Sequence, residues 1–305
     1  MRPETDPLAP HRGRLLGLAY RMLGSRSDAE DVVQDTYLRF AGARGVGNAE
    51  AYLVTIVTRL CLDRLKSAQA RREIYVGPWL PEPVFDAEAL SPDSTSELAD
   101  NLSFALLLAL DRLSPQERAA FLLHDIFETP FPEIARILDR SEASCRQLAS
   151  RARRAVRHDA PPPEAAPEDH ARLLTAFLTA TATGDLTALT ALLRADAIAL
   201  TDGGGSKRAA LRPIHGADHV ARFFVGLAVR LAASGDDVRF APASVNGKTG
   251  VLVYLNGALD LVISCAIDGE RIAALYAVRN PDKLRNAPQA IRDIQPAARR
   301  NGTSA

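Results

Sequence analysis

The chain has 305 residues, with 37 Lys and Arg against 37 Asp and Glu, 47% apolar side chains and 24% charged ones. That length predicts two or three domains, and no apolar run reaches the roughly 18 residues that a membrane span needs. Three widely spaced cysteines, Cys61, Cys145 and Cys265, argue against a disulfide framework and fit a reducing cytoplasm. The polar, Pro-rich residues 1–10 do not read as a signal peptide, and no Cys/His pair has zinc-site spacing. No cofactor, metal or membrane association is expected.

The zero net charge hides a pattern. Residues 1–75 carry 12 basic and 9 acidic side chains, 76–110 carry 6 acidic and no basic ones, and 141–157 carry 5 Arg against one Glu. Local contact with nucleic acid is therefore allowed although the average is neutral.

Residues 11–75 read as helices. Ser27-Asp28-Ala29-Glu30 has the form of a capping box, Ser27 accepting from the backbone at Glu30. The helix after it places Val33, Tyr37 and Phe40 on one stripe and Asp28, Asp31, Asp35 and Leu38 on another. After the Gly-rich break at 42–47, a helix from about Ala51 buries Leu53, Ile56, Val57 and Leu60. It shows Thr55, Arg59, Leu62, Asp63 and Lys66 on the other side, with Arg71 and Arg72 just beyond. Residues 76–96, with four prolines and an acidic run, read as a linker.

The apolar stretch 104–113 starts a second helical unit, in which Ser114-Pro115-Gln116-Glu117 is a capping box with Pro at the first helical position. Helices at 132–138 and 142–157, joined only by Asp139-Arg140-Ser141, form a helix-turn-helix signature. In the last helix Arg146, Ser150, Arg153, Arg154 and Arg157 share a face, while Leu148, Ala152, Ala155 and Val156 point inward. Arginine forks pair with phosphates and guanine edges, and Gln147 near the helix start suits a base edge.

Residues 160–168 hold four prolines and form a second linker. Beyond it, 169–195 predict two helices broken at Gly184-Asp185, then a short strand at 198–201 and a helix at 216–231. Strands follow at 238–245, 251–256, 258–267 and 272–278. Asn246-Gly247, Asn256-Gly257 and Asp268-Gly269 are hairpin turns between them. Helices followed by an antiparallel meander indicate an α+β domain, and the polar tail after about 284 is expected to be disordered.

Several of these segments resemble the sigma-70 family. Residues 27–38 (Ser27-Asp28-Ala29-Glu30-Asp31-Val32-Val33-Gln34-Asp35-Thr36-Tyr37-Leu38), Ala51-Tyr52-Leu53 and Arg59-Leu60-Cys61-Leu62-Asp63 are similar to region 2. Leu113-Ser114-Pro115-Gln116-Glu117-Arg118, Glu133-Ile134-Ala135 and Arg146 to Arg153 are similar to region 4. No segment resembles regions 1 and 3, as in the extracytoplasmic-function group. Trp79-Leu80-Pro81-Glu82-Pro83, Asp202-Gly203-Gly204-Gly205 and Asn280-Pro281-Asp282-Lys283-Leu284 resemble signatures of the subgroup with a fused SnoaL-like domain.

The resemblance implies a multidomain, non-enzymatic, cytoplasmic protein. Two all-α domains, a region 2 bundle and a region 4 helix-turn-helix, precede an α+β cone. The expected divisions are 1–75 (region 2), 76–105 (linker), 106–158 (region 4), 159–168 (Pro-rich linker), 169–284 (SnoaL-like domain) and 285–305 (tail).

The implied partners are core RNA polymerase and promoter DNA. Asp28, Asp31, Gln34, Asp35 and Leu38 would dock on the polymerase. Asn48, Thr55, Arg59, Asp63, Lys66, Arg71 and Arg72 would meet the −10 element. Arg146, Gln147, Ser150, Arg151, Arg153 and Arg154 would meet the −35 element. The three subgroup signatures would join the third domain to the rest as a built-in regulator in place of a separate anti-sigma protein. Three departures weaken individual assignments: Tyr52 stands where many relatives have Trp, Ser150 where His is common, and Ser206 separates the Gly run from Lys207.

SnoaL-like domains enclose an apolar cavity, so a small-molecule ligand is a further implied partner. Some relatives are enzymes, and Asp202, His215, His219 and Asp260 are the acid/base candidates here, with surface or capping roles as the simpler reading. The competing function is a helix-turn-helix regulator with a ligand-binding SnoaL-like effector domain. The acidic helix at 28–38 argues against it, since such a regulator has no need of one.

Overall fold

The computed structural model describes residues 9–43, 45–73, 75–85, 90, 102–158 and 166–288, the side chains of 9, 67–73, 158 and 167 lying outside that description. Three helices form the first unit: α1 (Arg12–Leu23), α2 (Arg26–Ala41) and α3 (Ala49–Glu73). α1 is buried from Leu15 to Leu23 because α2 and α3 flank it and the second unit closes over it.

α1 ends at Gly24, whose φ of +68° lets its N–H donate to the Tyr20 carbonyl. The next residue, Ser25, is the first in extended backbone. It caps α2, its hydroxyl accepting from the Asp28 N–H at 3.1 Å. The expected box at Ser27 and Glu30 does not form; Glu30 pairs instead with Arg26 at 2.8 Å. The left-handed turn at Gly24 starts the helix two residues earlier than the sequence signature placed it.

The second unit comprises α4 (Phe104–Asp111), α5 (Pro115–Phe121), α6 (Phe131–Leu138) and α7 (Glu142–His158). The Ser114 and Glu117 capping box forms as expected, with Pro115 at the first position. α5 runs into a π-helical turn at Leu122–Ile126 that the sequence pattern did not signal. Along α7, Leu148, Ala149, Ala152 and Val156 are buried, but Ala155 is exposed; Ala149 takes the inward position expected of it.

The two helical units share one continuous core, from Leu15 on α1 to Val156 on α7. They are therefore packed as one body, with no solvent layer between α1, α3 and α5.

The third unit has α8 (Pro167–Thr183), α9 (Leu186–Leu192), β1 (Leu193–Asp202), β2 (Ile214–His215), α10 (Ala217–Ala233), β3 (Val238–Val245), β4 (Lys248–Leu255), β5 (Ala258–Asp268) and β6 (Arg271–Val278). The sheet order is β2-β1-β6-β5-β4-β3, with β1 parallel to β6 and every other pair antiparallel. Positive φ at both residues of Asn246-Gly247 and Asn256-Gly257 makes these turns match the strand twist. β1 begins at Leu193, earlier than the pattern suggested, because its first residues reach Ile272 on β6 across a bulge.

One face of the sheet packs on α8, α9 and α10. The other is covered by Leu80 of the first linker and by α4, with Phe104 stacked 5.3 Å from Tyr276. This explains why α4 is apolar all round. Leu106, Leu107 and Leu110 face the helical core while Phe104, Ala105 and Leu108 face the sheet.

The chain also stays packed past 284: Ala287 is buried, and the Tyr254 hydroxyl donates to the Pro288 carbonyl at 2.9 Å. The rest of the expected tail, 289–305, and residues 159–165 of the second linker lie outside the described residues. Among the described residues no helix is long and apolar enough to cross a membrane, and no cluster of three metal-ligating side chains occurs.

Candidate nucleic-acid and partner interfaces

The acidic stripe of α2 is brought together by a residue the sequence reading passed over. Arg64 on α3 lies 3.6 Å from Asp28, 3.6 Å from Asp31 and 3.4 Å from Asp35, and also donates to the Asp28 carbonyl at 2.9 Å. Arg64 is five residues after Arg59, so it sits about 140° round the helix, toward α2. One cation against three carboxylates leaves the face negative. Gln34 is exposed beside it, and Leu38 is 70% exposed. An acidic face with an uncovered leucine suits a basic, partly apolar partner surface.

The residues expected at the −10 element lie along α3, and the second helical unit covers part of them. Arg59 donates to the carbonyls of Arg136 at 3.1 Å and Ile137 at 3.2 Å, at the end of α6. Helix-end carbonyls carry partial negative charge, so they hold a guanidinium as a phosphate would. Asn48 caps α3 by accepting from the Ala51 N–H at 3.0 Å, and Thr55 donates back to the Ala51 carbonyl at 2.7 Å. Asp63 and Lys66 form an exposed pair at 2.9 Å. A cleft of about 810 Å³ runs between these residues and Gln116, Leu138 and Asp139 of the second unit. Tyr52 is 39% exposed near Phe40. Arg71 and Arg72 have side chains outside the described residues.

On α7 the arginines divide. Arg153 is half-buried and binds Asp125 at 2.7 Å, which ties α7 to the π-helical turn. Arg151 reaches Glu117 at 3.1 Å. Arg146 pairs with Glu142 at 2.9 Å and lies over the Phe131 ring, which itself stacks on His124. Gln147, Ser150, Arg154 and Arg157 are exposed, and neither Arg154 nor Arg157 has an ion pair among the described residues. The outer face of α7 is thus basic and uncovered along its length.

The first linker is not a solvated spacer. From Leu80 to Val84 it is buried, and each available backbone group of alternate residues is satisfied. The Leu80 N–H donates to Asp202 at 2.9 Å, the Glu82 N–H to the Gly24 carbonyl at 2.9 Å and the Val84 N–H to Asn246 at 3.0 Å. The carbonyls of these three residues accept from Lys283, Tyr20 and the Asn246 N–H. Pro81 and Pro83 between them have no N–H to satisfy, which suits a buried extended segment. The linker is therefore held in turn by the third unit and the first.

Asp202, at the end of β1, is fully buried. It accepts from the Tyr75 hydroxyl at 2.6 Å, the Lys283 ammonium at 2.6 Å, the Leu80 N–H and the Gly204 N–H at 3.0 Å. Burial and the acceptor Asp202 together push the Tyr75 phenol well above its ordinary pKa. Tyr75 and Trp79 flank the Lys283 ammonium at 5.0 and 4.5 Å, so both rings face a cation. Asn280 donates to the Tyr75 hydroxyl at 2.9 Å and accepts from the Asp282 N–H. A Cβ on Gly204 would lie 2.4 Å from Asn280, and its φ is +60°, so glycine is required there. The three subgroup signatures thus meet at one site.

Two seam amides were missed, besides the phenols of Tyr20 and Tyr75. Asn246, which the sequence marks only as a turn, donates to the Tyr20 hydroxyl at 2.7 Å and to the Leu102 carbonyl at 2.9 Å. Asn286 donates to Glu82 at 2.9 Å. Neither carries a sequence signal for this role, since the partners are supplied by the fold.

The acid/base candidates do not converge. Asp202 is in the seam. Asp260 is paired with Lys207 at 3.0 Å and Arg279 at 2.7 Å, which gives Lys207 a structural partner. His215 and His219 are exposed, the latter against the His215 carbonyl.

A family model described as Sigma-70 region 2 matches residues 8–71, and one described as Sigma-70, region 4 matches residues 103–156. The chain is 36% identical over 305 residues to the ECF RNA polymerase sigma factor SigJ of Mycobacterium tuberculosis, covering 97% of this chain and 98% of that protein. The chain belongs to the extracytoplasmic-function group of the sigma-70 family. This sigma factor is also 31% identical over 289 residues to the probable ECF RNA polymerase sigma factor SigI of M. tuberculosis, covering 92% of this chain and 96% of that one. A crystal structure of M. tuberculosis SigJ matches it with a TM-score of 0.71 at 34% identity, over 92% of this chain and 98% of that chain. The helical units are thus sigma regions 2 and 4, followed by an α+β domain that the SigJ structure shares. Membership makes the protein a DNA-binding transcription-initiation factor and not an enzyme.

Proposed function

We propose that this sigma factor docks on core RNA polymerase through Asp28, Asp31, Gln34, Asp35 and Leu38, and meets the −10 element through α3 and the −35 element through α7. The third domain regulates it in place of a separate anti-sigma protein, in the cytoplasm where polymerase works. The observation that carries this reading is the buried linker. Its backbone groups are shared between region 2 and the third domain, so the third domain restrains how far regions 2 and 4 can separate. Arg59 is laid on α6 in the same arrangement, so part of the −10 face is unavailable until the helical units part. Opening draws on a balance that only a differential preference between closed and open forms can shift.

The test uses the full chain. The double substitution Asp31→Arg, Asp35→Arg abolishes binding to core polymerase. Asp202→Asn, which weakens the hold on the linker without touching a docking residue, raises promoter-directed transcription about fivefold, the equivalent of about 1 kcal/mol off the cost of opening. Undiminished polymerase binding by the double variant overturns the docking surface. Unchanged transcription by Asp202→Asn overturns the regulatory role and leaves the sigma assignment standing.

A further inference from the structure

Glu82 makes contacts that the linker's role as a restraint does not require. It is only 3% exposed, and one carboxylate oxygen accepts from the Arg26 N–H at 2.9 Å, the Ser27 N–H at 3.2 Å and the hydroxyls of Ser25 and Ser27 at 3.2 and 3.3 Å. Arg26 and Ser27 are the first two residues of α2, and Ser25 covers the third N–H, that of Asp28. All three first-turn donors of α2 are therefore satisfied, two of them by a side chain more than 50 residues away in sequence.

A helix start carries unpaired N–H groups and partial positive charge, so a buried carboxylate there is doubly favoured. The other oxygen of Glu82 accepts from Asn286, just past the third domain's last helical turn. Its backbone is fixed by Gly24 and by Tyr20, and Tyr20 is in turn held by Asn246. The position of this carboxylate is thus set by region 2 on one side and the third domain on the other.

We infer that Glu82 is a positioning residue for polymerase docking: it caps the docking helix α2 from outside, and the third domain holds it in place. This rests on the reading that the α2 face docks on polymerase. Asp28, the first residue of that face, lies in the capped turn, so fraying of the turn displaces a docking carboxylate directly. The third domain consequently has two levers of opposite sign along one linker. Holding Leu80 through Asp202 restrains opening, and holding Glu82 through Asn286 keeps the docking helix formed.

The experiment measures binding of full-length Glu82→Ala, Glu82→Gln and Asn286→Ala to core polymerase, with the Asp31→Arg, Asp35→Arg chain alongside. Amide hydrogen exchange is followed at residues 26–28. Glu82→Ala is expected to bind about tenfold more weakly, the scale of losing charge-assisted bonds at a helix start, with exchange faster at 26–28 but not along α7. Glu82→Gln, which keeps the shape and one acceptor, falls between it and the parent chain, and Asn286→Ala shifts exchange in the same direction by less. Should Glu82→Ala fail to fold, Glu82→Gln carries the same comparison.

Parent-like binding by both Glu82 variants, while the charge reversal abolishes binding, overturns this inference and leaves the docking surface intact. Parent-like binding by the charge reversal overturns the docking surface and this inference with it.

Discussion

Two interfaces join the parts of this sigma factor, and they are built from opposite chemistry. Between regions 2 and 4, arginines donate to carbonyls at helix ends: Arg14 to Phe127 at 2.6 Å, Arg118 to Met22 at 2.5 Å and Arg59 to Arg136 and Ile137. Between region 2, the linker and the third domain, buried carboxylates and amides (Glu82, Asp202, Asn246) accept and donate with nearly every group paired. Arginines on carbonyls can be traded for arginines on phosphates, since both acceptors are negative and phosphate is the stronger. A buried, fully satisfied amide network has no such substitute in water or DNA. Of these contacts the exposed one, that of Arg59, is suited to such an exchange, while the buried amide network is suited to persist.

The comparison breaks most directly at Asn246. Asn246→Ala removes the side-chain bonds to Val84, Tyr20 and Leu102 and leaves buried groups unpaired. It should lower unfolding stability by about 3 kcal/mol, read as a shift in denaturant midpoint, whereas Arg59→Ala, at a partly exposed contact, should cost about 1 kcal/mol or less. Equal losses would erase the distinction between the two interfaces.

Alkaline pH sharpens it next. Burial holds the Tyr20 phenol well above its ordinary pKa, with the bond from Asn246 acting the other way. The folded chain therefore keeps a proton that the unfolded chain loses above about pH 10. The stabilisation is complete below the unfolded pKa and is lost as pH rises beyond it, by at most about 1.4 kcal/mol per pH unit for this phenol. Tyr20→Phe should make that alkaline arm shallower by up to about 1.4 kcal/mol per pH unit, with Tyr75 still contributing to it. An arm unchanged by the substitution would place the titrating group elsewhere.

The smallest effects separate two neighbouring arginines on α7. Arg153→Ala breaks the half-buried pair with Asp125 and should cost about 1 kcal/mol of stability. Arg154→Ala should leave stability within about 0.5 kcal/mol while reducing the salt dependence of duplex binding by about one counterion. A stability loss at Arg154 with no change in salt slope would remove it from the DNA-facing set.

Local signals in the sequence were sound where one segment supplies its own partners. The Ser114 and Glu117 box, the helix-turn-helix at 131–158 and the Asn-Gly hairpins all appear where their residues placed them. The cap of α2 was misplaced by two residues because Ser25 and Ser27 are equally good caps. The turn at Gly24, and the distant carboxylate Glu82, decided between them. Arg64 went unread because its role depends on which side of α3 meets α2.

By itself the sequence determined the family, the helical and α+β units, the acidic and basic faces, and which short motifs belong together. Periodicity, capping and turn chemistry act over a few residues and are written in order along the chain. Only the tertiary structure decided that a Pro-rich linker is buried, that Glu82 closes a helix more than 50 residues before it, and that Asn246 joins three parts of the molecule. A buried polar group takes whichever partner the fold brings within about 3 Å, and that choice is made in space and not along the sequence.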